Sequence, residues 1–270
     1  MTGDTGLRRA LRAYPTLLRI GFAEAIAYRA EMIVWMLTTT MPLVSLALWS
    51  SVAAEGPVGP FTQRGFAAYF LATLVVRQLT GCWLVWEMNQ EIRTGALSQR
   101  LLRPIHPLLA YSASNLAALP LRALFAAPIA IVTLVVLQRG PGAGLGSPLL
   151  WAVSLVGAWC INFCTMAIIG SLAFFLESST SIFDAWILAF MFLSGYLIPL
   201  DLLPPAIRAV AAALPFRYTI AFPVEIITGA LRGRAALHDL AIQWAYVAFA
   251  FIVARLTFRA GVRRFSAFGG

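Results

Sequence analysis

Lysine is absent from this sequence, and all 20 of its basic residues are arginine. A Walker A loop needs a Gly-Lys pair to hold nucleotide phosphates, so the chain cannot supply one, and any ATP it uses must be bound elsewhere. Histidine is nearly as scarce, with only His106 and His238, both near loops. Ser194-Gly195 therefore has no histidine at matched depth for a nucleophile-base dyad. Asp184 and Asp201 fall at opposite ends of one apolar run, too far apart to share a proton, and no acidic cluster suits a catalytic metal. Cysteine is limited to Cys82, Cys160 and Cys164, all within apolar runs, which argues against a disulfide framework. Cys160 and Cys164 share a helix face, but no histidine accompanies them, so packing explains them better than metal binding. No N-x-Ser/Thr acceptor occurs. The chain carries no catalytic set of its own.

Charge is sparse too, at 11% of residues against roughly 25% in an average soluble domain. What fills the sequence is apolar: 60% of residues are hydrophobic, and the mean hydropathy is +0.82. A bilayer crossing takes about 20 apolar residues. The pattern predicts an all-α integral membrane protein forming one transmembrane domain over 1–270, with six transmembrane helices at about 32–52, 66–86, 112–137, 149–176, 182–200 and 240–258. The third is ambiguous. Asn115, Pro120, Arg122 and Pro128 interrupt the region, so either 108–118 lies on the surface or one kinked helix runs through it.

Residues 7–30 contain Glu24 and lead into a full-length span, unlike a secretory leader. Leu7, Leu11, Tyr14, Leu18 and Phe22 recur at helical spacing, predicting an interfacial amphipathic helix. Between the fifth and sixth spans, apolar pieces of about ten residues at 202–227 are too short to cross and read as external re-entrant helices. The 140–148 segment is glycine-rich, but without a preceding strand or a phosphate-binding lysine it is a loop.

One polar stretch interrupts the oily chain: Glu87 to Pro104, with Glu91, Arg93, Gly95, Arg100 and Arg103 among its members and Leu97, Leu101 and Leu102 as an apolar stripe. Six spans put both termini on one side. If that side is the cytoplasm, inner segments hold twelve arginines and outer ones six, with Arg77 and Arg122 inside spans. The positive-inside rule then places the termini and 87–104 in the cytoplasm. The arginines are dispersed at span ends, so membrane lipid headgroups, not nucleic acid, are their expected partner.

Ionisable and polar residues at membrane depth are costly. Arg77 in the second span and Asn162 in the fourth fit a polar pathway or a structural pairing equally well. Arg217 and Glu225, in the external segment, are candidates for an ion pair closing an outer gate. Glu177 and Asp184 bracket the turn between the fourth and fifth spans and read as solvated.

Gly95-Ala-Leu97 with Leu101-Leu102 and Pro104, followed by Leu193-Ser-Gly-Tyr-Leu-Ile-Pro-Leu200, Leu203-Pro204, Leu214-Pro-Phe216 and Tyr218, resembles the permease subunits of ATP-binding cassette exporters of the type-2 family over nearly the whole chain. That family more often has Gly-Thr-Leu in the first motif, so Ala96 is a departure. The resemblance implies a half-transporter in the bacterial plasma (inner) membrane. Two permease copies, or one and a paralogue, would form the pathway, with ATP and Mg bound by separate ATPase subunits and no cofactor on this chain. Residues 95–103 would be the coupling helix, with Leu97, Leu101 and Leu102 as anchors in the ATPase and Arg93, Arg100 and Arg103 at the rim. Glu87 and Glu91 belong to the same stretch. The cargo implied is amphiphilic or hydrophobic: a lipid, drug or lipid-linked glycan. The competing class is an ATP-independent secondary transporter or channel, although the two halves show none of the matched helix interruptions such folds display.

Overall fold

A computed structural model of the chain describes residues 3–138, 147–176 and 179–265. The glycine-rich loop before Ser147 and the turn residue Glu177 lie outside them. Among the described residues the chain is helical, apart from one isolated bridge between Val58 and Phe61. In order come α1 (Gly3–Ala27), α2 (Arg29–Thr38), α3 (Met41–Val52), α4 (Gln63–Thr80), α5 (Leu84–Thr94), α6 (Leu97–Leu101), α7 (Pro107–Ala117), α8 (Leu119–Gln138), α9 (Pro148–Ser171), α10 (Thr180–Leu193), α11 (Pro205–Ala213), α12 (Ala221–Ile227) and α13 (Gly233–Arg264). Among the described residues, four helical stretches are long and apolar enough to cross a membrane: Gln63–Thr94, Pro107–Val136, Pro148–Phe174 and Gly233–Arg264; Met41–Val52 and Thr180–Leu193 are apolar but shorter.

α4 and α9 form the centre. α4 packs against α3, α8, α9 and α12, while α9 packs against α5, α12 and α13. Phe66, Phe70 and Val76 of α4 are fully buried with Phe190 and Ile220. At the crossing of α9 and α13, Gly157 makes room for Gln243, and a Cβ there would come within 2.7 Å of the amide. α1 lies along α7: the Tyr14 and Ser112 hydroxyls are 3.1 Å apart, and a Cβ at Gly21 would meet that of Ala117 at 2.9 Å. The amino-terminal helix thus has a protein partner along part of its length.

Three expected spans are interrupted, each for a local reason. The first breaks at Thr39-Thr40. Pro42 cannot donate to the carbonyl of residue 38, and just before it the Thr39 and Thr40 hydroxyls bond to Met36 O (2.7 Å) and Leu37 O (2.8 Å). The second breaks between Thr80 and Leu84, where Gly81 is extended. The third begins at Pro107 and bends at Ala118, two residues before Pro120, so α7 and α8 make one kinked rod. The fifth expected span is a helix only to Leu193. α10 rises about 21 Å at 1.5 Å per residue, short of the roughly 30 Å hydrocarbon core, and the chain continues as an unwound Ser194–Pro199 segment.

That unwound segment is buried at Ser194, Gly195 and Tyr196, so its carbonyls need donors from the protein. Tyr69 Oη donates to Gly195 O at 2.8 Å, Ala221 N to Ser194 O at 3.0 Å and Trp49 Nε1 to Leu197 O at 3.3 Å. Gly195 has φ 85°, and a Cβ there would collide with the Tyr69 hydroxyl and with Ala221. The Ser-Gly-Tyr motif is therefore a backbone device that turns the chain from α10 into the short helices before α13.

Candidate functional site

The polar stretch folds as two helices joined at a glycine. α5 ends when Gly95 adopts φ 76°, the left-handed conformation that closes a helix without a Cβ penalty. α6 is only five residues long, and so short a helix cannot persist on its own. It is held by two contacts with its own chain. Leu97 is fully buried in the core that contains Val85, Met88 and Tyr111. Arg100 Nε lies 2.9 and 2.8 Å from the two Glu91 oxygens, and its Nη2 reaches Glu91 at 2.6 Å and Glu87 at 2.7 Å. The Arg100 guanidinium stacks 4.3 Å from the centre of the Tyr111 ring, whose hydroxyl donates to Glu91 at 2.6 Å. Glu87, Glu91, Arg100 and Tyr111 thus clamp α6 to α5 and α7.

Within 95–103 the side chains divide between an inward and an outward face. Leu97 is buried in its own chain's core, and Arg100, with 21% of its side chain exposed, is held by Glu87 and Glu91. Leu101 is partly buried against the same core. The outward face consists of Arg93, Ala96, Gln99, Leu102 and Arg103, with Leu102 87% exposed. Hydrophobic spacing alone could not divide the leucines, because Leu97 and Leu101 share a face one turn apart and Leu102 sits on another.

Arg77 and Asn162 are both buried, at 6% and 2% exposure, and both lie at the break between α4 and α5. Asn162 Nδ2 donates to the Thr80 carbonyl at 3.1 Å. Arg122, from α8, donates to the Gly81 carbonyl. Two carbonyls released by the interrupted helix are thereby satisfied, as hydrocarbon surroundings require. Arg77 sits among aromatic faces, 5.1 Å from the Phe190 ring centre and 5.5 Å from that of Trp83. The two helix breaks face each other: Gln78 Nε2 donates to Met36 O at 3.2 Å and to Thr39 Oγ1 at 2.8 Å, and the Tyr196 hydroxyl donates to Thr39 O at 3.2 Å.

Arg217 and Glu225 do meet, at 2.7 Å, and a third member joins them: Asp239 in the first turns of α13, 2.9 Å from Arg217. Gln243, one turn further along, is fully buried and donates to Ser154 O and Tyr218 O, each at 2.9 Å. Burial pushes the Glu225 carboxyl above its ordinary value, against the opposing pull of Arg217. Asp239 and Gln243 escaped sequence reading. Their spacing of four within an apolar helix is the signal that could have found them, since both lie on one face of α13. No group of three or more metal-ligating side chains occurs among the described residues.

No curated protein matches this sequence. A family model described as ABC-2 family transporter protein matches residues 33–269, which takes in the clamped polar stretch, the unwound Ser-Gly-Tyr segment and the Arg217 cluster. The chain belongs to the ABC-2 transporter family and is the multi-pass membrane subunit of an ABC transporter.

Proposed function

We propose that this chain is the membrane half of an ATP-driven exporter, working as a pair of permease subunits, identical or paralogous, in a bacterial inner membrane. Six crossings leave both termini and α6 in the cytoplasm, with α2–α3 and α10 making up their crossings together with the broken or unwound segments beside them. Separate ATPase subunits bind ATP and Mg, and the cargo is an amphiphile that leaves the cytoplasm or the inner leaflet. α6 is the coupling helix. Family membership supports the ATP-driven reading over an ATP-independent transporter or channel.

The observation that carries this reading is the Arg100 clamp. A short helix transmits a rigid-body closure of a partner only if it is stiffly tied to the helix it must move, and α6 is fastened to α5, which continues toward α4 through the break at Gly81–Trp83. Its free face has one large apolar residue, Leu102, beside Arg93 and Arg103, the pattern of an anchor with charges that steer at the rim. In this reading the Arg217–Glu225–Asp239 cluster is the outer gate, supported by the ion pairs that tie the segment before α12 to α12 and α13. The test is co-purification of the tagged chain with the ATPase it is expressed with. Leu102→Ala and Arg103→Glu should each weaken retention of the ATPase while leaving the permease folded. Unchanged retention and unchanged substrate-stimulated ATP hydrolysis in both would sink the coupling role.

A further inference from the structure

A cavity of about 440 Å³ opens where the two broken helices face each other. Arg77 and Gln78 of α4, Arg122 of α8, Trp83 at the α4–α5 break, and Trp86 and Glu87 of α5 contribute to its wall. Two guanidiniums, both charged at any accessible pH, share this space. Among the described residues neither Arg77 nor Arg122 forms an ion pair with a carboxylate. The one acid in the wall, Glu87, is already bound to Arg100 at 2.7 Å. Uncompensated cations within a membrane-spanning bundle are expensive, and the aromatic faces around Arg77 offset only part of that cost.

We propose that this cavity binds the phosphate group of an anionic phospholipid, with Arg77 and Arg122 as the phosphate ligands. Arginine's planar fork suits phosphate oxygens, and Arg122 uses one nitrogen on Gly81 O and keeps its other N–H groups for a ligand. The tryptophans supply amphipathic walls of the kind found at headgroup depth, and Trp86 remains 37% exposed at the rim. The wall extends from Arg77 along α5 to Glu87, which is bound to Arg100 of α6, so in the orientation given above the cavity reaches toward the inner leaflet, where basic pockets between helices take lipid headgroups. The inference rests on the exporter reading for that orientation and refines it by naming the chemistry of the group that enters. A phosphate bound to Arg122 would lie near the α4–α5 break that Arg122 caps, next to the joint through which α6 is connected to α4.

The test uses the full chain, purified and delipidated in detergent, with no ATPase and no transport step, so its outcome is independent of coupling. Phosphatidylglycerol should raise the thermal midpoint saturably, whereas diacylglycerol and inorganic phosphate should not. Arg77→Gln should weaken the apparent affinity by about tenfold or more, the scale of a lost charge-assisted bond, in protein that still elutes as a single unaggregated species. Arg122→Gln should weaken it similarly. Equal protection by diacylglycerol would reduce the site to an apolar cavity, and equal protection by inorganic phosphate would make it a free-anion site; either result overturns the proposal, as does wild-type affinity in both variants. If neither variant folds, native mass spectrometry of the wild type decides: a retained phosphatidylglycerol adduct, displaced by no neutral lipid, is expected, and its absence overturns the assignment.

Discussion

Arg100 and Glu91 meet through three donor–acceptor contacts of 2.6 to 2.9 Å, across a helix end and a left-handed glycine. This bidentate grip fixes the angle between α5 and α6, and the two ends of α6 therefore have different jobs. Leu97→Ala should destabilise the protein by roughly 2–5 kcal/mol, as core Leu-to-Ala changes do, and Leu102→Ala should leave the melting temperature unchanged. Thermal unfolding of the two variants side by side checks this. Equal melting temperatures would mean that Leu97 is not the internal anchor.

Arg100→Ala leaves Glu87 and Glu91 facing each other without their shared cation. The expected outcome is a permease that folds and inserts but whose 95–103 segment is cleaved faster by protease, with transport-coupled ATP hydrolysis reduced. Arg100→Lys should restore only part of it, because an ammonium cannot reproduce the fork. Protection equal to wild type in Arg100→Ala would remove the clamp from the mechanism.

Asn162→Leu orphans the Thr80 carbonyl, at a cost of about 1–3 kcal/mol for a buried acceptor. The effect should be local: faster hydrogen exchange over 80–84 with little change in α13. Asn162→Gln, a longer amide, should recover less than full stability, since Gly157, Ala158 and Gly170 mark α9 as tightly packed.

Gly195→Ala should prevent accumulation of folded protein, because the left-handed φ and the Tyr69 hydroxyl both exclude a Cβ. Tyr69→Phe keeps the space and deletes only the bond to Gly195 O, so it should lose about 1 kcal/mol. Detergent-solubilised yield and melting temperature separate the two. Normal yield of Gly195→Ala would contradict the turn.

His106 opens α7, its Nδ1 accepting the Leu108 N–H at 3.3 Å and its ring lying 5.5 Å from that of Phe258. Partial burial of the ring, and secondarily Arg255, hold its pKa below the ordinary value, although the residue keeps an exposed edge. The unfolded chain, titrating near about 6.5, then takes up the proton first as pH falls, so stability is present above that pH and declines below it. Protonation also removes the Nδ1 acceptor. The melting temperature should drop as pH is lowered through that range, and His106→Asn, which keeps a capping side chain, should flatten the drop. An identical pH profile in the variant would assign it elsewhere.

Much of this protein was legible before any coordinates. Six apolar regions, the polar interruption at 87–104 and the arginine pattern follow from composition and spacing, because a bilayer imposes length and polarity on whole segments. The missing lysine settled that no Walker A loop lies on this chain. The Arg217–Glu225 contact was also within reach, since eight residues in a compact turn-rich segment bring the two side chains close.

The tertiary structure decided what each polar residue in those segments does. Asn162 and Arg122 serve carbonyls 82 and 41 residues away, and Asp239 joins Arg217 from another helix. None of these partners is local, so no periodicity announces them. The same holds for the 87–104 stretch. Sequence marked it as a helical, partner-facing interruption and assigned its leucines and arginines outward as a set. Packing turned Leu97 and Arg100 inward and left Leu102 and Arg103 outside, because a five-residue helix must be fastened to its own chain before it can press on another.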